Sequence, residues 1–205
     1  MAREIGFVLF EGVTALDLTG PMDVFATANE HAAAAGDRPP YRLEVLAADC
    51  RPCRAESGLV LLPGAAFGEG GRFDTVLVPG GAGLRDAETG AAVAAWLAAQ
   101  AATARRLASV CTGIYAMAAA GLLDGRRATT HWRFVADLMR RHPSIRLQPG
   151  ARVVADGRFR TSGGVTAGID LALALVGEDL GPAAADAVAR ELDLRPGAVP
   201  APVPA

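Results

Sequence analysis

The sequence predicts an α/β fold in which a mostly parallel sheet is covered by helices on both faces. Two observations carry this expectation. Short, continuously apolar runs, residues 5–10 (IGFVLF) and 74–78 (DTVLV) foremost, are the mark of strands buried on both sides. Between such runs lie longer segments of helical character, and strand–helix alternation gives a parallel sheet with right-handed crossovers. The 205 residues, 51% hydrophobic and 20% charged, supply enough apolar material for a sizeable core and too little charge for a disordered chain. One domain over 1–205 is expected, with 195–205 a Pro- and Ala-rich tail that has no core-forming pattern.

Residues 5–10 are the first strand, broken by Gly12 and Thr14. Residues 17–35 have helix character, with Pro21 near the first turn, where a missing N–H is tolerated. Residues 41–48 (YRLEVLAA) alternate and read as a strand, and 51–62 combine turn chemistry with an apolar run, which predicts a hairpin. Residues 74–78 form a second buried strand that ends in Pro79-Gly80-Gly81. An alanine-rich helix follows over 87–105, its face marked by Val93, Trp96 and Leu97. Residues 106–110 read as a third buried strand, and a helix over 112–123 follows it without a visible loop. After His131 comes a helix to about residue 141, then two short strands around Asp156-Gly157, a dipeptide suited to a hairpin turn. Helices over 167–176 and 182–192 close the fold.

All twenty cations are arginine. Without lysine there is no Schiff-base chemistry, no pyridoxal phosphate anchor and no Walker-type phosphate loop. The formal net charge of −2 carries no footprint for nucleic acid or an anionic membrane, so a small-molecule substrate is the expected partner. No apolar run approaches the roughly 20 residues of a spanning helix, and the opening Met-Ala-Arg-Glu-Ile is unlike a signal peptide. A cytoplasmic location is expected. Three cysteines do not make a disulfide scaffold. Cys50-Arg51-Pro52-Cys53 falls in a strand-to-strand turn without a helix N-terminus or further zinc ligands, so neither a redox pair nor a metal site is expected there. The glycines at 80, 81 and 83 do not match the dinucleotide fingerprint in spacing.

In an open parallel sheet ligands bind beyond the carboxyl ends of the strands. Three segments arrive there: the loop leading to Asp17, the Pro79-Gly80-Gly81 turn, and Cys111. Cys111 stands between a buried strand and a helix with only small residues beside it, the requirement of a tight nucleophile elbow. The helix N-terminus is expected to favour its thiolate. The Thr112 amide would face the attacked atom, with Gly81 as a second donor. The plain alternative is a cysteine acting as a small buried hydrophobe. Asp17 is either a helix-capping residue or a buried carboxyl whose raised pKa suits proton transfer. His131 either pairs with Cys111 as a base or packs against Trp132. His31 and His142 lie in polar helix ends and read as solvent-facing.

Ser109-Val110-Cys111-Thr112-Gly113, followed by the run from Ala120-Gly121-Leu122-Leu123-Asp124-Gly125 to Thr129-Thr130-His131-Trp132, resembles the ThiJ/PfpI family of the class I glutamine amidotransferase-like fold. Leu16-Asp17-Leu18-Thr19-Gly20-Pro21, Val78-Pro79-Gly80-Gly81 and Thr161-Ser162-Gly163-Gly164 extend the resemblance over about residues 3–192. It implies a flavodoxin-like three-layer sandwich, usually a homodimer, that needs no cofactor. Within the family the sequence looks closest to the isonitrile hydratase branch and is also similar to the ligand-sensing half of AraC-type regulators. The hydratase resemblance implies that Cys111 attacks an isonitrile to give a thioimidate, with Asp17 as acid/base and Thr112 positioning the reaction, and that an N-substituted formamide leaves. Gly81, Gly164 and His131 would lie at the substrate pocket, which is expected to be bulky and mostly apolar. The alternatives are a non-catalytic ligand sensor, and a thiol redox or stress protein in which Cys111 is oxidised.

Overall fold

The structure, a computed structural model, describes residues 1–69 and 71–194; the tail expected over 195–205 lies outside them. The chain opens with β1 (Arg3–Val8), whose Ile5, Phe7 and Val8 are fully buried. It passes through a short loop into α1 (Ala15–Ala34) and returns as β2 (Tyr41–Ala47), parallel to β1. The hairpin read from 51–62 is present as β3 (Cys53–Arg54) and β4 (Val60–Leu61), and β5 (Ala65–Ala66) then pairs with β2. β6 (Thr75–Val78) lies on the other side of β1, and α2 (Ala87–Gln100) leads from it to β7 (Arg106–Val110). A 3-10 turn at Cys111–Gly113 precedes α3 (Ile114–Ala119). β8 (Arg127–Ala128) and β9 (Arg146–Leu147) form a small parallel pair around α4 (Val135–Arg141). The hairpin of β10 (Val153–Asp156) and β11 (Phe159–Ser162) follows, then α5 (Ala167–Leu180) and α6 (Pro182–Glu191).

The main sheet has seven strands in the order β10-β11-β7-β6-β1-β2-β5, and only β10–β11 is antiparallel. β2 and β6 flank β1 on opposite sides. Right-handed crossovers therefore send α1 to one face and α2 to the other, where α1 joins α5 and α6, and α2 joins α3. The loops after β1 and β6 diverge, and between them opens the crevice where open α/β sheets take ligands. Every residue of β6 and β7 is buried, which is why β6 reads as an apolar run and not an alternation. Phe25 of α1 sits edge-on between Phe7 and Tyr41, at ring separations of 6.1 and 4.8 Å, a geometry that aromatic quadrupoles favour.

Two expectations are corrected. Pro21 is not in the first turn but inside α1. It removes the N–H that the Asp17 carbonyl would accept, and its ring is buried beside Gly168 of α5. The helix expected over 112–123 is an α-helix of only six residues, with Gly121 and Gly125 at φ +69 in the turns beyond it.

At the opposite, N-terminal edge of the sheet a cluster of charges holds the end of α5. Arg106, 3% exposed, reaches Asp179 at 2.7 Å and Glu178 at 2.9 Å, while Arg105 bridges Asp74 and Asp179 at 2.8 and 2.7 Å. The Asp179 side chain is fully buried. Among the described residues no helix is long and apolar enough to cross a membrane.

Candidate active site

β7 ends extended at Val110, and the next residue, Cys111, turns to φ +54. A side-chain-bearing residue rarely adopts this left-handed conformation, and holding it there costs about 1–3 kcal/mol. The surroundings enforce it. Thr130 Oγ1 donates to the Cys111 carbonyl at 2.8 Å. Gly113 presses so closely on β6 that a Cβ would lie 2.2 Å from the Val78 carbonyl oxygen. Cys111 thus stands at an elbow after β7, buried at the C-terminal edge of the sheet.

Asp17, in the first turn of α1, is 0% exposed. It does not cap its helix, which begins after Thr14. Instead its side chain crosses the crevice: Oδ2 accepts from the Gly80 amide at 3.0 Å, and Oδ1 is buried with no hydrogen-bond partner among the described residues. Burial pushes this carboxyl up to about 6; the Gly80 amide opposes the rise and the charge of Glu56 adds to it.

Burial also pushes the Cys111 thiol up to about 12, and the neighbouring Asp17 charge reinforces it. Hydrogen bonds from the Thr112 amide and hydroxyl work in the other direction. The expected thiolate is therefore corrected: a six-residue α3 behind a 3-10 turn does not outweigh desolvation. Between about pH 6 and 12 the two groups together hold one proton.

Gly80 is the meeting point. A Cβ there would lie 2.6 Å from Asp17 Oδ2, 2.8 Å from Thr112 Oγ1 and 2.9 Å from Cys111 Cβ, so only a missing side chain lets the three groups converge. The sequence reading singled out its neighbour. Gly81 was expected as a second oxyanion donor, but its amide donates to Thr112 Oγ1 at 2.9 Å and is already committed. Gly81 also bridges to Val13, which ties the turn after β6 to the loop after β1. The only available signal for Gly80 was its place as the first glycine after the proline that ends a buried strand.

His131 makes no hydrogen bond to Cys111. Its Nδ1 accepts from the Arg133 amide at 3.4 Å, and its ring tilts against Trp132 and Phe134. Burial and Arg133 hold its pKa below the usual value, so the ring is neutral near pH 7. Gly164 faces His131 and lines a cleft of about 170 Å³ with Thr130, Trp132, Arg152 and Ala167. This cleft adjoins the elbow through Thr130, and neither Cys111 nor Asp17 lines it. A second cavity of about 490 Å³ opens beyond β1 and β2, lined by Phe10, Glu11, Asp49, Cys53 and Phe67. Neither Cys111 nor Asp17 lines it. Cys53, like Cys50, is a free thiol, and burial raises the Cys53 pKa.

A buried cysteine on a left-handed turn, set against a buried acid at the switch point of a parallel sheet, defines a cysteine-elbow α/β protein. The chain belongs to the DJ-1/PfpI family, which matches residues 3–178. It is 40% identical to the isonitrile hydratase of Pseudomonas putida over 196 residues, 96% of this chain and 80% of that protein. It is also similar to the HTH-type transcriptional regulator GbdR of Pseudomonas aeruginosa, 35% identical over 179 residues, 87% of this chain but 47% of the regulator. Among solved structures, a ThiJ/PfpI family protein from Pseudomonas syringae superposes with a TM-score of 0.80 at 31% identity, over 96% of this chain and 76% of that one.

Proposed function

We propose that the protein hydrates isonitriles to N-substituted formamides, with Cys111 as nucleophile and Asp17 as its proton partner. The observation that carries this reading is the convergence of Cys111, Asp17 and Thr112 on Gly80. The likeness to the Pseudomonas putida isonitrile hydratase supports the choice of substrate. An isonitrile carbon needs a proton and a nucleophile on the same atom, and the pair offers one of each. The Cys111 proton passes to the Asp17 carboxylate as sulfur approaches, and Asp17 delivers it to the isonitrile carbon while the carbon–sulfur bond forms. The product is a thioimidate, R–N=CH–S–Cys111. Asp17, anionic again, takes a proton from water, whose oxygen adds to the same carbon, and passes that proton to the nitrogen. Collapse expels the thiol and leaves R–NH–CHO. The Thr112 amide, facing sulfur, steadies the charge that develops there. The cycle closes on the protein's own groups, and no cofactor is required.

Incubation with alkyl and aryl isonitriles, followed by NMR, tests this directly. Wild type forms formamide, Cys111→Ala forms none, and Asp17→Asn loses roughly 10²–10⁴-fold. Because the productive pair is the singly protonated one, kcat/KM rises with pH through about 6. Wild-type protein that leaves every isonitrile intact sinks the proposal. Similarity to GbdR supports a second reading, a ligand sensor, which predicts small-molecule binding without turnover. The raised Cys111 thiol argues against the redox reading, since oxidation favours low-pKa thiols.

A further inference from the structure

Glu56 lies in the turn of the β3–β4 hairpin, away from the helix and strand that supply the reacting groups. The hairpin is closed by Ala55 N–H donating to Leu59 and Gly58 N–H donating to Ala55, at 2.8 and 2.9 Å. An exposed glutamate ordinarily keeps its rotamer freedom. Here both carboxylate oxygens are engaged: Oε2 accepts from Thr14 Oγ1 at 2.8 Å, and Oε1 accepts from the Ala82 amide at 3.0 Å. Its own amide donates to the Val13 carbonyl at 2.9 Å. Thr14 precedes α1, and its carbonyl accepts from the Asp17 amide at 3.0 Å. Ala82 follows the Gly80-Gly81 turn. One carboxylate therefore clasps the two loops whose separation sets the Asp17–Gly80 hydrogen bond.

We propose that Glu56 is a positioning residue for the Asp17–Cys111 pair, fixing the spacing of the loops after β1 and β6 and placing a carboxylate beside the pair. The proposal rests on the reading of Asp17 and Cys111 as the reacting groups. The titratable groups facing Asp17 are Cys111 from the elbow and Glu56 from the hairpin; Gly80 and Thr112 are neutral. The field of Glu56 raises both Asp17 and Cys111, so removing its charge lets Asp17 ionise at lower pH.

The experiment measures two pH profiles on wild type, Glu56→Gln and Glu56→Ala: kcat/KM for an isonitrile, and the rate of Cys111 alkylation by iodoacetamide. Glu56→Gln keeps size while losing charge: its oxygen accepts from the Ala82 amide, and its amide nitrogen donates to a Thr14 hydroxyl that turns to accept. It shifts the limb set by Asp17 to lower pH by roughly half a unit in both profiles. Glu56→Ala shows the same displacement and also loses kcat at every pH, because the clasp is gone. Profiles of Glu56→Gln that superimpose on wild type in both readouts overturn the proposal. If wild type makes no formamide, the hydratase reading falls, and the alkylation limb still decides the role of Glu56.

Discussion

Asp17 divides its burial unevenly, with one oxygen held by the Gly80 amide and the other by no hydrogen bond among the described residues. Its carboxyl, near 3.8 when exposed, sits at about 6 in the fold, so the neutral acid is the form the fold prefers. The stability this confers is fully present below about pH 4 and is lost as pH rises through 6. Asp17→Asn does not titrate. Its melting temperature relative to wild type therefore climbs between pH 4 and 8, by the equivalent of about 3 kcal/mol at most. A difference that stays flat across that range would mean Asp17 is not a strained acid. Cys111 was legible in the sequence, because a strand that becomes a helix at a cysteine among small residues has few other readings. The sign of its pKa shift was not legible, because depth of burial is a property of the assembled crevice. Gly80 and Gly81 could not be told apart for a related reason. Adjacent glycines look alike until the backbone register decides which amide faces the acid and which faces the threonine.

Among the elements, β1 and β6 announced themselves because the apolar run in each is buried on both faces, and β2 by its alternation. β5, β8 and β9, at two residues each, leave no periodicity to read. They exist because neighbouring loops are brought alongside, which is a tertiary effect. α5 has a structural part that its apolar sequence did not disclose. Its Gly168 packs against Val110 just before the elbow, while Asp179 near its far end neutralises Arg106 in a water-poor setting. Asp179→Ala leaves a guanidinium that is 3% exposed without its nearest carboxylate. Breaking such a pair costs about 3–5 kcal/mol, although Glu178 remains within reach of Arg106. Chemical denaturation should place the loss in this range, and a change below about 0.5 kcal/mol would show that Glu178 alone suffices.

At the scale of the whole molecule, the resemblance that implies a homodimer meets a surface with apolar material to cover. Leu59, Val60 and Leu62 of the β3–β4 hairpin are 50%, 51% and 68% exposed. A second copy seated there predicts a mass near twice 21.0 kDa by light scattering and a monomer for Leu62→Glu. An unchanged mass in that variant would place any contact elsewhere. The sheet itself has two poles with different burdens. The Asp17–Cys111 pair is gathered at the carboxyl ends of β1, β6 and β7, and the arginine–carboxylate cluster at their amino ends. α5 runs from one to the other. In a library of random variants the two poles will report through different assays. Changes around Arg106 and Asp179 will appear as lost abundance, and changes around Gly80 as protein that accumulates normally and does nothing.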